Sequence, residues 1–389
     1  MTSATAAPLA AKSTVALVAP PAGDAFMVRY VSALQRAFAS FADARVLEAS
    51  AVRSLGGGTV CVYHLKNDPA FTHVYQTALA RPGVVVLHEG VLHNLLAESL
   101  PADVFEEEFV YNYGEWLRPL GKQLLEETPS PIRERRRAEF PMLRRLVENS
   151  LAVVVHNPLA ARLVREALAA AEASTPVFEI PYGVEAPQPM DESSLNAFRQ
   201  GLGLPHEGIV ISAFGPLRPQ SRFRSLLEAS AKLTFPHRLV LAGEFTSPEY
   251  ELAGHALFNP PNFVHLPRPS QNDITHLAHL TDIGVSLWHP STGRTPPEAL
   301  AWMALGKPVV VTDSDETSAM PPLSVIRVDA GESEVEMLAH YLVALGADES
   351  MRVAVGARGR EHVEQHHLID SVAQQYRDVI QRLTQSGNN

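Results

Sequence analysis

Short, unbroken apolar runs recur along this chain, each followed by a longer stretch whose apolar residues fall at helical spacing. Val15-Ala16-Leu17-Val18 opens the series, and behind it Val28, Val31, Leu34, Phe38 and Phe41 mark one face of a helix predicted over 27–41. Val60-Cys61-Val62-Tyr63, Val84-Val85-Val86-Leu87 and Ala152-Val153-Val154-Val155 repeat the run. A strand of this type has no polar side to give to water. Alternation of such strands with helices therefore predicts a parallel sheet covered on both faces. The rhythm stops at 185–194, where prolines, charges and serines crowd together and a linker is expected. It then restarts with Ile209-Val210-Ile211-Ser212, a helix over 222–233, and runs at Arg238-Leu239-Val240-Leu241, Phe263-Val264-His265-Leu266, Ile283-Gly284-Val285-Ser286-Leu287 and Pro308-Val309-Val310-Val311. A helix over 361–383 closes the chain.

A chain of 389 residues is too long for one ordinary core. The expectation is α/β: two Rossmann-like domains, over 1–190 and 195–362, facing across a cleft, with 363–389 packing back on the first. Ligands of such sheets bind beyond the carboxyl ends of the strands. Pattern alone leaves sugar transferases, epimerases, phosphorylases and two-lobed binding proteins open. The formal net charge of -11 argues against a nucleic-acid partner, which needs a broad basic face. Cys61, the one cysteine, sits in an apolar run and reads as a buried thiol with no disulfide to make. The residues up to Lys12 lack the pattern of a signal peptide, and no apolar run approaches the roughly 20 residues of a membrane span. A cytoplasmic protein is expected, with membrane contact at most peripheral. Arg133, Arg135, Arg136, Arg137, Arg144 and Arg145 form the basic concentration. It suits anionic head groups at the inner face of a membrane, or simply a solvated helix face.

Several motifs then appear in a fixed order. They are Tyr63-His64-Leu65-Lys66-Asn67, Pro82-Gly83-Val84-Val85-Val86-Leu87-His88-Glu89, Tyr111-Asn112-Tyr113-Gly114, Phe140-Pro141-Met142, Val155-His156-Asn157, Ile180-Pro181-Tyr182-Gly183-Val184 and Ala304-Leu305-Gly306-Lys307-Pro308-Val309-Val310. As an ordered set over nearly the whole chain they resemble a bacterial branch of retaining glycosyltransferase family 4. That resemblance implies the GT-B fold and transfer of a hexosyl unit, with retention, from a nucleotide-diphosphate sugar to a carbohydrate or lipid-linked acceptor. It implies no metal and no cofactor besides the donor. Its setting would be polysaccharide or glycoconjugate biosynthesis.

The same resemblance assigns residues. The departing diphosphate gathers negative charge and needs cations and backbone N–H groups facing it. Gly23 matches the family's glycine after the first strand, where close backbone approach to a phosphate is needed. Phe214-Gly215-Pro216-Leu217-Arg218-Pro219-Gln220-Ser221-Arg222 resembles the stretch carrying the family's Lys–Arg pair. Gly215 and Arg222 match, Ser221 stands at the lysine, and Arg218 is the nearest substitute. In Gly293-Arg294-Thr295-Pro296-Pro297-Glu298, Arg294 stands where the donor-binding glutamate is expected, and the second glutamate position falls near Ala301. Glu298, one turn on, is a candidate replacement. Arg294 would recruit an anionic sugar or take over diphosphate binding; otherwise the chain is a non-catalytic nucleotide-sugar-binding or scaffolding partner. His88, with Glu89, ends a buried strand and would position the transferred sugar. His156 has the weaker claim, since a bond to the following loop would satisfy it.

Three other patterns lead nowhere. His362 and His366 lie one helical turn apart but lack further ligands, so no metal is expected. Gly56-Gly57-Gly58 has no Lys-Ser/Thr after it. Asp24, Asp282 and Asp313 make no triad with a serine.

Overall fold

A computed structural model describes residues 13–20, 25–128, 130–204, 207–245 and 262–386. β1 (Ser13–Val18), β2 (Ala42–Leu47), β3 (Val60–Leu65), β4 (Val84–Leu87), β5 (Ala152–Val155) and β6 (Val177–Glu179) form a parallel six-stranded sheet in the order β2-β1-β3-β4-β5-β6. β7 (Ile209–Phe214), β8 (His237–Ala242), β9 (Phe263–Leu266), β10 (Ile283–Ser286), β11 (Val309–Thr312) and β12 (Ile326–Val328) form a second, in the order β12-β11-β10-β7-β8-β9. Every residue of β4, β5 and β11 facing either helix layer is buried, as unbroken apolar strands require. Cys61 is buried among them. This is the expected pair of Rossmann-like sheets.

Three strands were not legible as apolar runs. β2 is an edge strand whose Asp43 and Arg45 reach solvent, so its pattern is half polar. β6 and β12 are three residues each, too short to register, and each ends a sheet. The expected linker is shorter than its composition implied: Asp191 caps a helix over Glu192–Gly201 by accepting the Ser194 N–H at 2.9 Å.

The single closing helix is in fact two, Glu349–His366 and Ile369–Ser386. Between them the backbone leaves the helix to pair with the end of the first domain. Val184 N–H donates to His367 O at 2.7 Å and Ile369 N–H to Val184 O at 2.9 Å. Hydrogen bonds to another segment replace those the helix gives up. The last helix then packs on Ala25–Phe38 beneath the first sheet, where the Tyr30 and Tyr376 hydroxyls meet at 3.0 Å.

In each sheet the order reverses beside its first strand, between β1 and β3 and between β7 and β10. Loops leaving adjacent strands in opposite directions part there and open a crevice. The helix Pro297–Ala304, which follows β10, is held by a close backbone approach: a Cβ added at Gly356 would lie 1.9 Å from Gly306 O. Gly356→Ala is expected to lower stability by about 1–3 kcal/mol, since backbone rather than a flexible side chain must yield. Urea denaturation with an unchanged m-value checks it.

Candidate functional site

The loops after β7 and β10, at the second sheet's reversal point, face the loops after β3, β4 and β5. Their meeting forms a tight seam. Gly90 N–H donates to Thr292 O at 2.7 Å, Thr292 Oγ1 to Glu89 at 3.3 Å, and Asn157 Nδ2 to Gly293 O at 2.9 Å and Thr295 Oγ1 at 3.1 Å. Asn157 also caps the helix Pro158–Ala170 through Ala160 N–H, so one amide fixes both a helix start and the opposite domain. Gly293 has φ +74°, and a Cβ there would sit 2.9 Å from Gly90 N. Only glycine meets both demands. The space left between the loops is about 10 Å3, room for roughly one water. At this seam the described loops leave no larger space.

Arg294 is buried at 8% exposure, and its charge is matched inside the protein. One guanidinium nitrogen donates to both oxygens of Glu298, at 2.9 and 2.7 Å, and the group lies 4.8 Å from the Trp288 ring centre. Burial works against the Arg294 charge, but Glu298, Glu89 and Glu316 outweigh it and hold the group above its ordinary pKa. Glu298 also accepts from Ser286 Oγ at 2.6 Å. Glu298 therefore faces Arg294 rather than the cleft, and Arg294 is not left over for an external anion.

Arg222 shows the same pattern. Its Nε donates to both oxygens of buried Glu334 at 3.1 and 3.0 Å, its Nη2 donates to one of them, and Ser225 Oγ adds a fourth contact. Ser221, at the expected lysine, closes its own turn by donating to Arg218 O at 2.8 Å. Arg218 is different. It lines the cleft, its nearest carboxylate is Asp68 of the other domain at 3.6 Å, and its Nε–H is buried without a partner. Gly215, at φ +115°, borders open space. Gly23 and Asp24 lie outside the described residues.

His88 does not point a ring nitrogen at the cleft, because both are taken. His156 Nδ1 lies 2.8 Å from Ile180 O, which can only accept, so the proton is on Nδ1. His156 Nε2 then accepts from His88 Nδ1 at 3.2 Å, and His88 Nε2 from His64 Nδ1 at 3.1 Å. His64 Nε2 ends the chain, buried and unpartnered. Burial, with the neighbouring histidines adding to it, lowers His64 to about 3 and His88 well below the usual range; burial alone lowers His156 to about 4. The three rings are neutral at physiological pH and each is protonated on Nδ1. Tyr30 packs edge-on against all three. Among the described residues no cluster of histidine, cysteine or carboxylate ligands is arranged to hold a metal ion.

The basic stretch is largely compensated. Arg133 pairs with Glu134, Arg136 with Glu127, and Arg145 with Glu108. Arg137 is buried, bonded to Asn94 Oδ1 at 3.0 Å and Leu124 O. Glu134, also buried, accepts from Asn94 and, across the seam, from Gln220. Sequence reading missed Gln220, Glu134, Asn94, Trp288 and Glu316 as parts of the site. Glu316 follows β11 and accepts the N–H groups of Thr292 and, at 3.0 Å, Arg294. No local spacing ties it to a turn more than 20 residues upstream.

No family model matches this chain, and neither does any curated protein. Solved structures match its fold along almost its full length. HepE of Anabaena, in complex with UDP and glucose, aligns over 95% of this chain and 100% of its own at TM-score 0.67 and 14% identity. Sucrose-phosphate synthase of Thermosynechococcus elongatus aligns over 96% and 100% at TM-score 0.65 and 13% identity. WaaG, a glycosyltransferase involved in lipopolysaccharide biosynthesis, aligns over 94% and 99% at TM-score 0.59 and 15% identity. The fold is GT-B.

Two consequences can be measured. Arg294→Ala leaves Glu298 buried and unpaired and is expected to cost about 3–5 kcal/mol. Arg294→Met combined with Glu298→Gln, which keeps an acceptor for Ser286, should regain most of it in urea denaturation. The histidine chain sets an acid limit. Because the folded pKa values lie below the unfolded 6.5, the unfolded chain takes up protons first. The stability is complete above pH 6.5 and falls as pH drops toward 4, by about 2 kcal/mol at pH 5 for each of His64 and His156. Replacing His64 by asparagine should narrow the gap between the denaturation midpoints at pH 7.5 and 5.0 by one ring's share, His88 and His156 keeping the rest.

Proposed function

We propose that this chain transfers a hexosyl unit from a nucleotide-diphosphate sugar to an acceptor hydroxyl, with retention and without a metal ion. The first domain would take a carbohydrate or lipid-linked acceptor and the second the donor. One observation carries the reading. Two Rossmann-like sheets bring the loops after β3, β4 and β5 against those after β7 and β10 at one polar seam, in a fold whose solved examples include complexes with UDP and UDP-glucose. Buried polar groups line that seam with hydrogen-bonding capacity to spare: Arg218 Nε, Gln220 Oε1 and Trp288 Nε1. Leaving such groups unpaired costs about 1–3 kcal/mol each, which a polar ligand would recover.

The chemistry needs positive charge at the leaving diphosphate. Arg218 is the best-placed of the three candidate arginines, since Arg222 and Arg294 are matched by Glu334 and Glu298. His88 would bear on the transferred sugar only after the histidine chain yields one of its bonds. Donor entry requires the domains to part, because the closed seam has space for about one water.

A second reading, a non-catalytic nucleotide-sugar-binding partner of another transferase, is favoured by the internal pairing of Arg294 and Arg222. Calorimetry with UDP-, GDP- and ADP-sugars, followed by NMR detection of released or transferred sugar, separates the two. The transferase reading expects a bound donor, slow hydrolysis, and a loss of turnover of about 10²–10³ in Arg218→Ala, the effect of removing one transition-state donor. Tight binding without turnover, unaltered by Arg294→Glu, would establish the second reading.

A further inference from the structure

We propose that the N–H groups of Thr292 and Arg294 form an anion site that the protein fills with its own Glu316 carboxylate. A phosphate oxygen that reaches this turn as the domains part would take the place of Glu316 and remove its brace on the closed seam. The proposal rests on the nucleotide-sugar reading only for the identity of that anion.

The two N–H groups flank Gly293, whose left-handed φ of +74° turns successive amides toward one side. Such a concavity binds anions. Beyond it, Pro296 and Pro297 have no N–H to offer, so the amides of this turn and those of Glu298 and Ala299 are the donors at the head of the helix Pro297–Ala304. Glu316 accepts from both amides and is 5% exposed. A carboxylate therefore already sits where an incoming anion would find its donors.

The same turn joins the domains. Thr292 O and Gly293 O accept from Gly90 and Asn157 of the first domain, and Thr292 Oγ1 donates to Glu89. One residue before Glu316, Asp315 meets Arg162 across the seam at 2.9 Å. Glu316 thus braces the segment that keeps the cleft shut, and an anion that replaces it removes the brace.

The groups around Glu316 make its charge easy to withdraw. Burial raises its pKa to about 7, and Glu89 of the first domain adds to this. The two amides and Arg294 oppose the rise, although Arg294 is itself shared with Glu298. As pH falls below 7 the carboxyl takes a proton, accepts more weakly from the amides, and competes less with an external anion.

The experiment compares the full-length protein with Glu316→Ala and with Glu316→Gln, which preserves shape. Hydrogen exchange at the Gly90 amide reports the seam, and calorimetry with UDP, GDP, ADP and inorganic pyrophosphate reports the site. At pH 8.5, Glu316→Ala is expected to exchange Gly90 about tenfold faster and to bind UDP about tenfold more tightly, a change of about 1.4 kcal/mol, with Glu316→Gln in between. The affinity ratio between Glu316→Ala and wild type should shrink toward pH 6, a comparison in which the titration of UDP itself cancels. Unchanged exchange at Gly90 in both variants, or weaker UDP binding in Glu316→Ala with Gly90 protection retained, overturns the proposal. If no protein binds pyrophosphate or any of UDP, GDP and ADP, the nucleotide reading and the anion site both fall; if pyrophosphate binds and none of the three nucleotides does, the nucleotide reading falls alone.

Discussion

A guanidinium taken out of water between two domains has to be neutralised on the spot, and the arrangement around Arg294 follows from that requirement. An isolated buried charge is costly enough that the protein would otherwise expose it or move it. Here Glu298, one helical turn away, supplies the counter-charge, and the Trp288 ring covers the guanidinium. Glu298 is fixed in turn by Ser286 at the end of β10. With Arg294 pinned to its own helix, the preceding turn has a defined shape, and that shape is what the first domain grips through Gly90, Glu89 and Asn157. The ion pair, the turn and the domain contact form one mechanical unit.

This unit bears on the proposed donor site, where the sequence resemblance leads to the expectation of a glutamate at position 294 presenting a carboxylate to a sugar. Here the turn presents neither a carboxylate nor a free cation, since the charges close on each other. The same is true of Arg222 with Glu334, and Ser221 serves its own turn. In the proposed reaction, positive charge for a diphosphate would then depend on Arg218, which lies 3.6 Å from Asp68 of the facing domain. A salt bridge across a cleft that must open is lost on opening, and Arg218 would become available at the step where a donor needs it.

The histidine chain is the first domain's counterpart. His64, His88 and His156 hand one proton direction along three strand ends to Ile180 O, and Tyr30 ties the cluster to the last helix through Tyr376. Neutral rings in fixed tautomers make a rigid polar core beneath the seam. Because Tyr376 belongs to the helix that returns from the second domain, the floor of the first domain's site is partly built by the chain's end.

The sequence by itself determined the two parallel sheets and their order of motifs, because a strand buried on both faces must be apolar throughout and cannot be mistaken for a surface strand. It also determined that Ser221 and Arg294 break a charge pattern, since residue type is read directly. What it could not determine was where those charges go. Edge strands β2, β6 and β12 escaped notice because exposure or shortness removes the periodic signal. The break at 366–369 was invisible because the hydrogen bonds that replace the helix come from Val184, far away in the chain. Glu316, Glu334, Gln220 and Asn157 reach the site through contacts between separate elements, with no local spacing to announce them. Local pattern records which face of a strand or helix is buried; which charge neutralises which is decided only when the sheets and loops are brought together, because electrostatic pairing depends on distance in space and not along the chain.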